Sequence, residues 1–76
     1  MNTNILAQAT KLVNKQVKQG NYTLAADKAA ELLPIADETL HMIEQCNIDG
    51  QLDVYAKQMR VIIADLERIA LFRKAL

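Results

Sequence analysis

Glu38 and His41 are the residues whose types and spacing come nearest to a reactive site in this chain. An E-x-x-H spacing places a carboxylate and an imidazole on one face of a helix, the arrangement that carboxylate-bridged di-iron bundles use. Such a site requires two of these pairs and additional inward-facing glutamates, whereas this sequence contains one pair, on the polar side of its helix. We therefore interpret Glu38 and His41 as a solvated ion pair, and we expect neither a metal nor another cofactor.

Cys46 is the only cysteine, so an intrachain disulfide cannot form. It stands five residues after His41, and because a helix turns by about 100° per residue the two side chains do not share a face. A shared metal site or a nucleophile–base pair is therefore not expected, and we interpret Cys46 as a small apolar residue near the end of its helix. Since no two candidate catalytic residues converge on a pocket, we expect that the chain is not an enzyme.

The elements that position these side chains are expected to be helices, because two glycines and one proline are too few for a turn-rich β fold. The 76 residues form one helical domain, spanning 1–76, near the lower size limit for a chain that folds alone. Half of the residues are apolar and only three are aromatic, so the predicted core is aliphatic and rich in alanine. A marginal domain of this kind often gains stability from a second chain.

Charge is balanced overall, with nine basic and nine acidic residues, but it is divided along the chain in the order basic, acidic, basic. The middle helix is therefore expected to pack between two helices of opposite sign. An alternative is that an acidic stripe on this helix, formed by Asp27, Glu31 and Glu38, faces a basic partner and tunes partner choice. Nucleic acid is not an expected partner, because a protein that binds it normally has a basic excess.

The first fifteen residues lack a charged leader followed by a long apolar run, so they do not resemble a signal peptide. No apolar run approaches the roughly 20 residues that are needed to cross a bilayer. We therefore expect a cytoplasmic protein without a membrane partner.

Three helices are predicted from the apolar spacing, over about 3–19, 22–46 and 51–75. Gly20 follows the first helix and suits the left-handed residue that ends many helices. The pair Asp49-Gly50 is the strongest turn signal before the third helix. Because short loops join antiparallel neighbours, the predicted fold is an all-α, antiparallel three-helix bundle.

Apolar residues at helical spacing define the predicted buried faces of the first and third helices. In the first helix this face consists of Ile5, Leu6, Ala9, Leu12, Val13 and Val17, together with the polar Gln16. In the third helix the residues recur at alternating spacings of three and four, along Leu52, Tyr55, Met59, Ile62, Leu66, Ile69, Arg73 and Leu76.

Pro34 lies in the middle of the second helix, where a proline removes a hydrogen bond and crowds the preceding turn. It falls on the polar side of this helix, while the apolar arc keeps its phase before and after it. This pattern favours a continuous helix that bends at Pro34, convex toward solvent, over two separate helices.

The unequal lengths of the helices predict a contact surface. At about 1.5 Å per residue, the first helix is expected to end beside residues 37–39 of the second, which leaves the far end of the bundle with two layers. An uncovered apolar surface on a soluble protein usually marks a contact site. We predict a protein interface at this tip, formed by Leu40, Met42, Ile43, Ile48, Leu52, Val54, Tyr55 and Met59.

Together these features predict a small protein-protein interaction module that acts through an apolar helical surface and forms oligomers. An adaptor, a chaperone-like protein and a regulator or inhibitor all fit this description, and the expected partner is another protein or a second copy in a homodimer. The alternative function is a small dimeric DNA-binding regulator that combines the basic ends of two chains.

Overall fold

The computed structural model describes residues 3–72 and contains three α-helices within that range. They are α1 (Thr3–Lys18), α2 (Tyr22–Cys46) and α3 (Asp53–Ala70). No strand occurs among the described residues, and α2 packs against both other helices. The prediction of an all-α, antiparallel three-helix bundle is confirmed.

The predicted bounds hold for α2 and shift by one or two residues at the neighbouring helix ends. α1 ends one residue early, at Lys18, and α3 begins at Asp53 rather than at residue 51. The predicted end of the third helix at residue 75 lies outside the described residues, as do Arg73 and Leu76 of its apolar repeat.

Gly20 ends α1 by adopting a left-handed conformation with a φ of +83°. Its N–H donates to the carbonyl of Val17 over 3.0 Å, and the N–H of Asn21 donates to the carbonyl of Gln16 over 2.9 Å. These two bonds form a Schellman motif, which satisfies carbonyls that the end of a helix leaves without donors. The chain therefore reverses within a short turn, and α2 runs back along α1.

The side chain of Asn47 organises the second turn. Its Oδ1 accepts a hydrogen bond of 2.7 Å from the N–H of Leu52, and its Nδ2 donates to Oδ1 of Asp53 over 2.6 Å. Within the turn, Asp49 and Gly50 have φ values of 55° and 76°, the positive values that the two central residues of a type I′ turn require. These bonds hold the chain in the turn until Asp53, where α3 begins.

Alanines line the buried side of α2. Ala25, Ala29 and Ala36 are each 0% exposed. Because small side chains let helices approach closely, they allow α2 to contact both neighbours, although each alanine buries little apolar area. Larger side chains from α1 and α3 complete the core, namely Leu6, Val13, Met59, Ile62, Ile63, Leu66 and Ile69.

Pro34 is exposed and α2 continues through it, so the prediction of a continuous helix with the proline on its polar side is confirmed. The buried side of the helix keeps its phase, because Ala29 and Ala36 lie on either side of the proline and are both fully buried. Thr39 is also buried, and its hydroxyl is satisfied by donating to the carbonyl of Ile35 over 2.8 Å.

We expect Ala29→Leu to lower the free energy of unfolding by about 1–3 kcal/mol, because added carbon atoms at a fully buried helix contact force the helices apart. The next residue, Ala30, is exposed, so Ala30→Leu is a matched control that should change this free energy by less than about 0.5 kcal/mol. Urea denaturation followed by circular dichroism measures both values. Equal effects of the two substitutions would show that α2 does not pack through this face.

Candidate protein-binding surface

The predicted tip divides into a buried part and an exposed part. Ile43 and Met59 are 1% and 0% exposed, so these two residues belong to the core, contrary to the prediction that they form a contact surface. They are buried because α2 and α3 still cover each other at this level, where an ion pair of 3.4 Å joins Arg60 and Glu44. Of the other predicted residues, Leu40 and Leu52 are half-buried against the core, and the exposed ones are Met42, Ile48, Val54 and Tyr55.

A second apolar surface, which the residue pattern did not single out, lies on the neighbouring sides of α1 and α2. Ile5 and Leu12 of α1 are 67% and 64% exposed, and Leu24 and Ile35 of α2 are 48% and 46% exposed. Half-buried Ala9 and Leu32 belong to the same surface. We define the α1/α2 face as Ile5, Ala9, Leu12, Leu24, Leu32 and Ile35.

Helix α1 carries more apolar residues than the core of the bundle receives. Leu6 and Val13 are 2% and 3% exposed, whereas the residues just before them, Ile5 and Leu12, lie about 100° away around the helix and face solvent. The spacing alone predicts one broad apolar face and does not separate its inner half from its outer half. The signal in the sequence was the repetition of two adjacent aliphatic residues after seven positions, which produces two parallel stripes.

A groove of about 380 Å³ runs between α1 and α2 within this face. On its α2 side, the ammonium of Lys28 lies 3.6 Å from the carboxylate of Glu31, and both side chains are largely exposed. The residues that line the groove are Ala9, Leu12, Val13, Gln16, Leu24, Lys28, Glu31 and Leu32. An aliphatic floor with one ion pair and one amide at its rim suits an apolar side chain of a partner better than it suits a reaction.

The predicted acidic stripe of α2 is only partly exposed. Glu31 and Glu38 face solvent, whereas Asp27 is half-buried. The ion pair with Lys28 reduces the negative charge that Glu31 presents. The exposed stripe is therefore less acidic than the sequence predicts, and the Lys28–Glu31 ion pair lies between Leu24 and Ile35 of the α1/α2 face.

Glu38, His41 and Cys46 are all exposed on α2. Within residues 3–72, no group of three or more His, Cys, Asp or Glu side chains is arranged to hold a metal ion. None of the helices in the described part of the chain is long and apolar enough to cross a membrane.

Two arginines of α3 lie beside carboxylates. Arg60 is 3.4 Å from Glu44, and Arg68 is 3.4 Å from Asp65. These ion pairs reduce the positive potential on α3, which is the potential that the alternative function, DNA binding, requires.

Comparisons with protein-family models, with curated proteins and with solved structures found no match to this chain. Its own residues and their geometry are what bear on its function. The candidate docking surfaces are the α1/α2 face and the exposed residues of the tip.

We expect Ile43→Asp to destabilise the fold by about 3 kcal/mol or more, because it places a carboxylate in a fully buried site. The adjacent Met42 is 55% exposed, so Met42→Asp is a matched control that should keep the helical content of the native chain. Circular dichroism at 222 nm during thermal unfolding compares the two variants. A native melting curve for Ile43→Asp would place Ile43 outside the core.

Proposed function

We propose that this chain is a small protein-protein interaction module that works as an oligomer and docks through an apolar helical surface. The observation that carries the proposal is the α1/α2 face, where four large aliphatic side chains on adjacent helices are about half exposed or more. Each Å² of apolar surface removed from water is worth about 25 cal/mol, so covering this face with another protein contributes free energy that offsets the entropic cost of association. Contiguous apolar patches on soluble proteins commonly mark such contact sites.

Met42, an exposed residue of the tip, lies on the same side of α2 as the α1/α2 face. Leu24, Ile35 and Met42 are separated by eleven and seven residues, so they project from the same side of α2. The exposed apolar surface therefore follows α2 along most of its length. A long, narrow strip of this kind has the shape that an apolar face of a partner helix covers.

The proposed module acts by binding alone. Adaptors, chaperone-like proteins and regulators all use apolar docking in this way, and we propose a cytoplasmic setting for it. Glu38 lies beside the apolar strip, and the ion pair of Lys28 with Glu31 lies within it, between Leu24 and Ile35. In this position charged groups favour some partners over others by electrostatic complementarity.

Two differently tagged copies of the chain, produced together in the native host, test the proposal. Capture through one tag, followed by mass spectrometry, reports the other tagged copy and any further bound protein. We expect a bound protein, and we expect at least about a tenfold loss of it when Ile5→Ser and Leu12→Ser are combined. This loss follows because both substitutions remove apolar area from the α1/α2 face and leave the buried Leu6 and Val13 in place.

Val61→Ser is the matched control, because Val61 is 58% exposed on α3 and lies outside the α1/α2 face. The control should keep the captured protein, and circular dichroism should show native helicity in every variant. Capture of no protein by the unaltered chain, or an equal loss in the control, would contradict the proposal.

A further inference from the structure

We propose that the α1/α2 face binds a second copy of this chain, in a two-fold symmetric dimer whose two α2 helices run antiparallel. The inference rests on the proposed function and names its partner. Two features of the described residues support it: the order of side chains along α2 and the charges in the middle of that row.

One row of exposed side chains on α2 is complementary to a second copy of itself that runs in the opposite direction. Leu24, Lys28, Glu31 and Ile35 follow each other at spacings of four, three and four, so they form one row on the helix. Their order is apolar, basic, acidic, apolar. The two-fold axis crosses α2 at the height midway between Ala29 and Ala30. It brings Leu24 opposite the partner's Ile35 and Lys28 opposite the partner's Glu31.

The charges select this arrangement over a parallel one. In a parallel two-fold dimer each residue of the row faces its own copy, so Lys28 would meet the partner's Lys28 and repel it. In the antiparallel dimer every ammonium has a carboxylate in its own chain, at 3.6 Å, and another across the interface. Opposite charges therefore alternate around the axis, which is the requirement for an isologous contact.

Helix α1 widens the contact on one side of this row, where the two-fold axis sets it opposite α1 of the partner. Leu12 and Lys28 line the same groove, and because α1 runs back from the turn at Gly20, we expect Ile5 near the level of Ile35. α1 is 16 residues long, so the face measures about 24 Å along the helices and about 20 Å across them. This footprint of about 480 Å² is smaller than the roughly 800 Å² per partner of a standard interface, so charge pairing across the axis has to contribute to the specificity of the dimer.

The experiment uses two single charge reversals, Lys28→Glu and Glu31→Lys, and measures sedimentation over a dilution series. Each variant alone places like charges across the axis, and we expect its dimer dissociation constant to rise by about tenfold or more. Mixing the two variants restores opposite charges at both positions, so we expect a heterodimer with a dissociation constant within about threefold of that of the unaltered dimer. Weakening by a single reversal indicates the antiparallel register, because a parallel dimer already sets like charges opposite each other. Recovery on mixing shows that the weakening is electrostatic, because loss of stability alone cannot be restored by a second defective chain.

Asp65→Lys is the matched control, since Asp65 and Arg68 also form an exposed ion pair three residues apart, but on α3. It should leave the dissociation constant unchanged. A dimer that resists both reversals, or variants that do not recover on mixing, would overturn the proposed register and leave the proposed function standing. A chain that stays monomeric but captures a different protein would overturn the homodimer alone, and a monomer that captures nothing would overturn both.

Discussion

The close approach of α2 to both of its neighbours is the constraint on which the rest of this structure depends. That approach is made by alanines, with Ala25, Ala29 and Ala36 fully buried along one side of the helix. An alanine surface brings helices together but contributes little buried area for each residue. The result is a slender bundle, 44 Å long and only 19 by 14 Å in its other two dimensions.

A slender bundle has too little interior for all of the aliphatic side chains in this sequence. Leu6 and Val13 fill the space that α1 closes, and Ile5 and Leu12 are left outside because no other helix of the described chain covers that side. The proposed docking surface is thus a direct consequence of the small core. A second copy that covers this side would add apolar area that the single chain lacks, which is how dimerisation stabilises small domains.

The fold was predictable from local signals, because each of them acts within a few residues. Gly20 ends α1 as expected, and Pro34 was assigned to the polar side of a continuous helix from the phase of the apolar residues around it. The start of α3 was placed two residues early, because the hydrogen bonds of Asn47 across the turn depend on three-dimensional geometry that propensity does not report.

The candidate site was predictable only in part. The expectation of an exposed apolar surface is consistent with Met42 and Val54. Ile43, however, lies in the core, and Ile5 and Leu12 of the α1/α2 face were assigned to the buried side of α1. Periodicity indicates that a residue lies on an apolar side of its helix. It does not indicate how wide a contact the neighbouring helices make, and that width decides which residues of a broad apolar arc remain exposed.

The turn held by Asn47 also bears on the order in which the chain folds. Its side-chain bonds close a loop of a few residues, and α3 supplies more of the large core side chains than α1 does. The α2–α3 hairpin is therefore expected to form early, on the microsecond to millisecond timescale of local helical contacts. The surfaces that α2 and α3 make together are complete once this hairpin has formed. The α1/α2 face is complete only after α1 has docked on α2. We therefore expect association through that face to recognise completed chains and to pass over partly folded ones, so that the last folding step also acts as a check before assembly.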